Sequence, residues 1–507
     1  MTFQSASQHH YDLIIIGGGV NGAGIAADAA SRGLSVLLCE QNDLASATSS
    51  NSSKLIHGGL RYLEHYQFKL VKKALDEREI LLKNAPHIMH PLRFILPHRP
   101  YLRPAWMIRV GLFLYDNLAK TNTLATSSAV TFDEQSPLKN EIHQGFTYSD
   151  GWVDDARLVV LNALAAKRNG ASIRTYCTCT KIARHEDHWQ VTLQPKNGTR
   201  YMVSARALIN AAGPWVSSLF DSIVNLEAPQ QIRLVKGSHI IVPKIHNTDD
   251  AYILQNQDGR IVFVLPFEQE FSIIGTTDVE YQGCPSAVAI DDDEIDYLIN
   301  TSNQYFKLQL DRSMIVKTYS GVRPLLDDDS VEAHKVTRNY TIEENWVGGT
   351  APIISVFGGK ITTYRRLAKT VVDALKPRFP GLADCLTDQV PLPGGNFTSK
   401  QTLLAQLTAD FPFLPACLLH RYVRSYGTLS YQLLEGVSKL DDMGACFGTN
   451  LFAREVDYLA EHEWAVTAED IVWRRSRLAL TLSDDDIQKI TQYLARPHAQ
   501  KTLNTGT

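Results

Sequence analysis

Long apolar runs, paired cysteines and an excess of charge are all missing from this 507-residue chain, and each absence narrows what it can be. No uninterrupted apolar stretch approaches the ~18 residues of a spanning helix, so no transmembrane span is expected. The opening MTFQSASQHH holds neither a basic n-region nor an apolar h-region, so no secretory leader is expected there. The seven cysteines (Cys39, Cys177, Cys179, Cys284, Cys385, Cys417, Cys446) are odd in number, scattered and without a CxxC. Cys177 and Cys179 share one face of an expected strand, poor spacing for metal ligands, and reduced thiols in a cytoplasmic protein follow. A formal net charge of −4 makes no case for nucleic acid as a partner. The acidic run Asp291 to Glu294 and the cluster Asp327 to Asp329 have no accompanying histidine pattern. They read as solvated faces or helix caps, so no metal is expected. No internal repeat is visible.

What is present is ordinary for a globular chain: 44% hydrophobic and 21% charged residues can bury large cores. A prior of ~150 residues per domain suggests about three domains. The informative stretch is Asp12 to Glu40, DLIIIGGGVNGAGIAADAASRGLSVLLCE. A buried strand (Leu13 to Ile16) breaks into Gly17, Gly19 and Gly22, spaced GxGxxG, and runs into an Ala-rich helix. A second apolar run, Leu34 to Leu38, precedes Glu40. This order marks a dinucleotide site: the glycines allow a tight turn, a close approach to pyrophosphate and close helix packing. The helix N-terminus turns N–H groups and a positive dipole end to the phosphates. Glu40 can accept from both ribose hydroxyls and would repel a 2′-phosphate, which disfavours NADP.

Further turns decide between FAD and NAD. The loop Asn42 to Ser53 is rich in Ser, Thr and Ala and leads into KLIHGGLRYLEH, with Gly58-Gly59 before Arg61 and Tyr62. Helical periodicity follows from Phe68 to Asn84, and a helix ending at a Gly cap is expected over Gly151 to Gly170. Ala171 to Gln194 and Arg200 to Asn210 alternate like strands. LINAAGPW (Leu208 to Trp215) is a strand running into a Gly-Pro turn, and Gln231 to Glu280 is β-rich. ISVFGGKITTYRRLAKTVVDAL (Ile354 to Leu375) returns to strand, turn and helix. PLPGG (Pro391 to Gly395) reads as a linker, and the chain beyond it as almost all helical, most clearly at Phe452 to His462 and Thr467 to Leu482. A helix opening at Gly358-Gly359-Lys360-Ile361-Thr362 would stabilise negative charge on a reduced flavin pyrimidine ring. NAD has no such need, so FAD is the expected cofactor.

At this point the chain resembles the flavin-dependent glycerol-3-phosphate dehydrogenases of the aerobic, respiratory type. The resemblance runs from Tyr11 to about Arg496. It is carried by IIGGGVNGAGIAADAASRGLSVLLCE, SSKLIHGGLRYLE, YSDGWVDDARLV, NAAGPW, LVKGSHI, FSIIGTTDVEY, YSGVRPL and SVFGGKITTYR. It implies an α/β fold: an FAD-binding Rossmann-like domain interleaved with an amino-acid-oxidase-like mixed-sheet substrate domain, plus a C-terminal helical domain. The expected boundaries are about 11–390 for the discontinuous pair and about 391–507 for the helical domain. FAD-binding segments fall at about 11–85, 150–220 and 340–385, with substrate or cap segments at about 86–149 and 221–339. The implied reaction oxidises sn-glycerol 3-phosphate to dihydroxyacetone phosphate, with hydride passing to flavin N5 and electrons to a membrane quinone, ubiquinone or menaquinone.

Matched position by position, the resemblance puts Arg323 at the catalytic position, with His239 and Lys360 lining the same site. It puts Arg61, Tyr62 and Arg338 at substrate contacts. The cofactor set is Gly17, Gly19, Val20, Asn21, Gly22, Glu40, Ser53, Lys54, Gly59, Gly213, Trp215, Gly359, Lys360 and Thr362. The residues agree with that chemistry, because guanidinium forks match phosphate oxygens. Which of His239, Arg323 and Lys360 takes the hydroxyl proton stays open, although arginine is a poor base. Arg323 is expected in a constrained turn between Gly321 and Pro324, and His239 in a strand, where a satisfied core histidine is the alternative. His57 is a weaker candidate.

Quinone use requires membrane contact. Leu92 to Lys120 mixes Arg, Trp, Tyr and apolar residues with no acid before Asp116, which suits an element lying on anionic lipid at the cytoplasmic face of the inner membrane. A core helix behind a Pro-rich loop is the competing reading. The C-terminal domain is read as a cap or a homodimer surface, and VWRRSRLAL (Val472 to Leu480) as a helix with its basic residues outward. Rival functions are an oxygen-using amino-acid-oxidase-like flavoenzyme, a non-catalytic flavin module and an NAD-linked dehydrogenase. The excess of cations over what a carboxylate substrate needs argues against the first, and the redundant Gly turns against the last.

Overall fold

Two sheets and a helical unit make up the protein, described here from a computed structural model covering residues 9–64, 66–119, 123–220, 230, 232–326, 340–346 and 351–496. Arg338 and Asp327 to Asp329 lie outside the described residues. The first sheet grows from the apolar strand His10–Ile16, which pairs in parallel with Val36–Cys39 on one side and Tyr201–Asn210 on the other. Ile353–Gly358 and Ser172–Arg174 extend it in parallel, and Tyr340–Asn345 closes one edge antiparallel. This central strand is apolar at every inner position because both faces are covered. Leu13 and Ile15 pack towards the helices Val20–Ser31, Asp155–Arg168 and Tyr364–Ala374. Ile14 and Ile16 pack towards Trp189, Val191 and Cys179 of the hairpin Cys177–Arg184 and Trp189–Pro195.

The second sheet is ten-stranded and mostly antiparallel. Its long strand Ile232–Pro243 pairs with Phe271–Gly275, Val279–Glu280 and Lys317–Leu326. Alternation divides its two faces. Val235, Gly237 and His239, with their partners Arg323, Gly321 and Tyr319, occupy one. Lys236 and Ser238 occupy the other, where both bond Glu294 of the helix Asp292–Tyr305. Asp291 and Glu294 form a capping box, as a helix cap requires, but Glu294 is buried and not part of a solvated face. Blocks of strands from the two sheets alternate along the chain, so the two sheets are interleaved in sequence.

Several sequence expectations shift for identifiable reasons. Gly151–Val153 ends the strand Gln144–Val153, and the helix begins only at Asp155, where the Asp154 carboxylate accepts from the Arg157 amide at 3.0 Å. Arg323 sits within the strand Lys317–Leu326 and not in a turn. Pro324 is tolerated because this strand is a sheet edge, pairing among the described residues only with Ile232–Pro243. Pro391–Gly395 is no loose linker: Pro393, Gly394 and Gly395 are buried, and the Leu392 amide donates to Asn84 O at 2.8 Å. Leu92 to Pro97 belongs to the core strand Met89–Pro97, so of the stretch expected to be interfacial only the helix Ala105–Leu118 lies outside that strand as a regular element.

The C-terminal helices Lys400–Asp410, Ala416–Tyr426, Ala453–Glu463 and Asp484–Leu494 share one apolar core with the helices of the first sheet. Thr467 to Leu482 is not one helix but a turn of wide helix, Asp470–Arg475, then a left-handed residue, Arg477, at φ +60°. Its arginines point inward. Arg474 and Arg475 bond Asp43 at 2.6 and 2.7 Å, and both partners are buried. Periodicity showed a helix-like pattern here, but buried ion pairing between units decides the backbone.

Candidate active site

A single cavity of about 930 Å³ runs along the meeting edge of the two sheets. One end is walled by Gly17, Gly19, Val20, Asn21 and Glu40, with Cys39, Cys177 and Cys179 beside them. The same cavity is lined by Arg61, Tyr62, Arg323, Lys360 and Thr362, and by Ser53, Gly59, Gly213, Trp215 and Gly359. Three residues of the expected set stand behind this wall: Gly22, Lys54 and His239. Arg338 lies outside the described residues.

At the first end the glycine motif is dictated by packing. A Cβ at Gly22 would lie 1.9 Å from the Gly17 carbonyl oxygen, so the helix Val20–Ser31 approaches the strand only because that side chain is absent. The Val20 amide at the helix start donates to Ser49 Oγ at 3.0 Å. Glu40 accepts from the amides of Gly18 (2.7 Å) and Asn42 (2.9 Å), and burial raises its carboxyl above the ordinary range. Two oxygens offer about four acceptor positions, so these bonds leave capacity for ribose hydroxyls.

The wall around Arg323 is built by the alternation of the long strands. Arg323 projects into the cavity with its side chain a quarter exposed, Nη1 bonding Asp278 at 2.7 Å and Nη2 bonding Thr276 Oγ1 at 3.1 Å. Cross-strand Gly237 leaves room for it: a Cβ there would meet the Arg323 guanidinium nitrogens at 2.6 and 2.7 Å. Lys360 follows the strand Ile353–Gly358, and its Nζ lies 3.7 Å above the centre of the Tyr62 ring. Such a contact holds a cation without neutralising it. Thr362 Oγ1 accepts from the His57 amide at 3.3 Å, tying this turn to the Gly58-Gly59 segment.

His239 reaches the cavity through Ser53. Its Nε2 is 2.9 Å from Ser53 Oγ, its ring stacks on Tyr319 at 4.6 Å, and its Nδ1 is buried without a hydrogen-bond partner. Burial, then the positive charges of Arg323 and Lys54, hold it well below the ordinary histidine range, so it is uncharged at neutral pH. It is therefore not an ordinary satisfied core histidine. Lys54 faces away from the cavity: its ammonium donates to both Asp155 oxygens at 3.0 Å, and burial lowers it to about 8 despite that partner.

Thr276 and Asp278, which hold Arg323, and Tyr319, which supports His239, were not singled out from sequence. All lie in quoted motifs, FSIIGTTDVEY and YSGVRPL, but no local pattern shows that they meet Arg323 and His239 across strands.

The FAD dependent oxidoreductase family model matches residues 12–365, and that of the C-terminal domain of alpha-glycerophosphate oxidase matches 385–499. The chain is 52% identical to the aerobic glycerol-3-phosphate dehydrogenase of Escherichia coli (strain K12), over 98% of this chain and 99% of that one. This chain belongs to the FAD-dependent glycerol-3-phosphate dehydrogenase family. It is also 46% identical to D-erythritol 1-phosphate dehydrogenase of Brucella abortus (strain 2308), over 93% of this chain and 95% of that protein. Among solved structures, the glycerol-3-phosphate dehydrogenase from Bacillus halodurans complexed with FAD shares the fold, with a TM-score of 0.73 at 24% identity, covering 98% and 95% of the two chains.

FAD is the cofactor of this family, and the residues here fit it. The cavity has the size of a cofactor site. Asn21 lines its wall and its Oδ1 is buried with no hydrogen-bond partner, and the Val20–Ser31 helix starts at the same place. Glu40 would hold the ribose, the Gly17–Asn21 turn the pyrophosphate, and the Gly358–Thr362 turn the flavin ring.

Proposed function

We propose that this protein oxidises sn-glycerol 3-phosphate to dihydroxyacetone phosphate and passes the electrons to a membrane quinone at the cytoplasmic face of the inner membrane. The observation that supports the substrate reading is that Arg61, Arg323 and Lys360 all line this one cavity. A phosphate dianion is matched by several cations, whereas an amino-acid carboxylate needs one. Bound FAD supplies the two-electron acceptor, at flavin N5, for the hydrogen on carbon 2. Arg61 and Lys360 hold the phosphate; Arg338, outside the described residues, is assigned to it by the family resemblance alone. Arg323, kept in place by Asp278 and Thr276, stabilises the alkoxide that develops on the carbon-2 oxygen, since a guanidinium is too weak an acid to serve as base. The hydroxyl proton passes through Ser53 Oγ to uncharged His239, and loss of that proton with the carbon-2 hydride leaves the ketone.

The four-carbon substrate named for the Brucella relative makes chain length the specificity question. Anaerobic addition of sn-glycerol 3-phosphate to the holoprotein should bleach the oxidised flavin band, with glycerol and amino acids inert and D-erythritol 1-phosphate slower. A flavin that stays oxidised with sn-glycerol 3-phosphate refutes the substrate assignment.

The helix Ala105–Leu118 supports the membrane reading. Ile108, Leu112 and Tyr115 bury one row of it, while Trp106, Val110 and Phe113 form a second apolar row that is exposed. Exposed Arg109 flanks this row, and exposed Tyr66 and Phe68 lie on the segment joining the neighbouring turn and helix. Aromatic and basic side chains on an exposed amphipathic helix suit the interface of anionic lipid. No helix among the described residues is long and apolar enough to cross a membrane.

A further inference from the structure

The C-terminal unit sends one buried side chain to the back of the catalytic wall. Arg477 donates from Nε and Nη2 to both oxygens of Asp154, at 2.7 and 2.6 Å, and from Nη2 to Asp155 at 2.7 Å. Asp155 in turn accepts from the Ser52 amide (3.2 Å), Ser52 Oγ (2.7 Å) and Lys54 Nζ (3.0 Å). The residue between those two anchors is Ser53, whose hydroxyl bonds His239 and faces the cavity. The same short segment is held from the other side, where Tyr319, stacked on His239, donates its hydroxyl to Ser52 O at 3.1 Å.

Two features mark this as a clamp and not general packing. Lys54 and Arg477 both take left-handed backbone conformations, φ +57° and +60°, which are uncommon for side-chain-bearing residues and are held here by the bonds around them. The charges also balance: two buried carboxylates, Asp154 and Asp155, face two buried cations, Lys54 and Arg477. Removing Arg477 leaves the two carboxylates with Lys54 alone, and Lys54 is the residue that fixes the end of the Ser53 turn.

We propose that Arg477 is a positioning residue for polyol-phosphate oxidation, acting through Asp155 to hold the Ser52–Lys54 turn so that Ser53 and His239 stay aligned at the cavity wall. The helical unit is then part of the catalytic apparatus, not only a cap. This rests on the proton route assigned above, and whether unmodified holoprotein is bleached by sn-glycerol 3-phosphate separates failure of that function from failure of this role.

The test uses FAD-loaded full-length protein with Arg477→Lys, which keeps the charge but loses the fork, and with Ser52→Ala, a milder change at the other end of the clamp. Arg421→Lys is the control: Arg421 pairs with Glu455 inside the C-terminal unit, equally buried but away from the cavity. Anaerobic flavin reduction should slow about 10-fold or more in Arg477→Lys, mainly in the limiting rate, with less than about 3-fold change in half-saturating substrate. Amide exchange of residues 50–54 should quicken by a similar factor with or without FAD, while Arg421→Lys alters neither. The Arg477→Lys and Ser52→Ala effects should be less than additive, because both act through Asp155. Equal slowing by Arg477→Lys and Arg421→Lys, additive effects in the double variant, or unchanged exchange at 50–54 would overturn the proposal.

Discussion

Gly22→Ala tests whether the glycine motif is set by packing geometry or only by backbone freedom. Gly22 lies inside the helix Val20–Ser31, where alanine has the higher helix propensity by up to about 1 kcal/mol. Propensity alone therefore predicts a more stable protein. The structure predicts the opposite. The new Cβ would stand 1.9 Å from Gly17 O, whereas real Cβ contacts essentially never fall under 3.0 Å, so the helix must withdraw by about 1.1 Å. Overpacking of that kind costs ~1–3 kcal/mol, which matches or exceeds the propensity gain. The larger effect is expected on the cofactor, because the displaced helix start carries amides that would meet the pyrophosphate. Each hydrogen bond to a charged group is worth ~1.5–3 kcal/mol, so losing two weakens FAD binding by at least ~100-fold. The assay is FAD titration of apoprotein by fluorescence quenching, with thermal unfolding measured with and without FAD. Gly381→Ala is the control, since nothing lies within 4 Å of its Cβ position. Wild-type FAD affinity and an unchanged Tm in Gly22→Ala would refute the close-packing account.

Replacing Arg323 by Lys keeps the charge but cannot satisfy Asp278 and Thr276 together while facing the cavity; flavin reduction should fall ~10–100-fold in stopped flow. A variant that reduces as fast as wild type would remove Arg323 from its role. Acid should destabilise the protein from about pH 6.5 downward. His87 and His90 are lowered by burial, to about 3 and about 4, and His239 well below its ordinary value, so the unfolded chain takes up these protons before the folded one does. Each such histidine contributes up to ~1.4 kcal/mol per pH unit between its folded and unfolded pKa, stability that is present above 6.5 and lost below it. Urea unfolding between pH 7 and 4.5 reads this slope, and a flat profile contradicts it. Trp106→Glu with Phe113→Glu should weaken sedimentation with anionic vesicles by ~100-fold or more, since burying each such side chain contributes ~1.5–3 kcal/mol. Unchanged vesicle binding would move the membrane contact elsewhere.

The cofactor end was legible in sequence because its determinants are local. Strand, GxGxxG, helix, strand and Glu40 lie within one short stretch, and each is recognised by period and spacing. The same locality made Phe452 to His462 readable, against the observed helix Ala453–Glu463. The substrate end was legible only as a collection of residues. Arg323, His239 and Lys360 could be named, but not that Gly237 leaves space for one, that Ser53 connects another to the cavity, or that Asp278 holds the guanidinium. Those relations are set by the register between strands far apart in the chain, and local sequence carries no signal of register.

Misreadings arose where burial overrides pattern. Arg474, Arg475 and Arg477 looked like an exposed basic face, since charged residues are seldom buried. The folded chain buries them against Asp43, Asp154 and Asp155, more than 300 positions away. By itself, then, the sequence determined the dinucleotide fold of the first sheet, the choice of FAD, and the stock of cations available to a substrate. The tertiary structure decided which of those cations face the cavity, which pair behind it, and how the C-terminal unit is joined to the catalytic wall. The physical reason is that spacing sets local backbone geometry, whereas the partner of a buried charge is chosen only when distant segments pack.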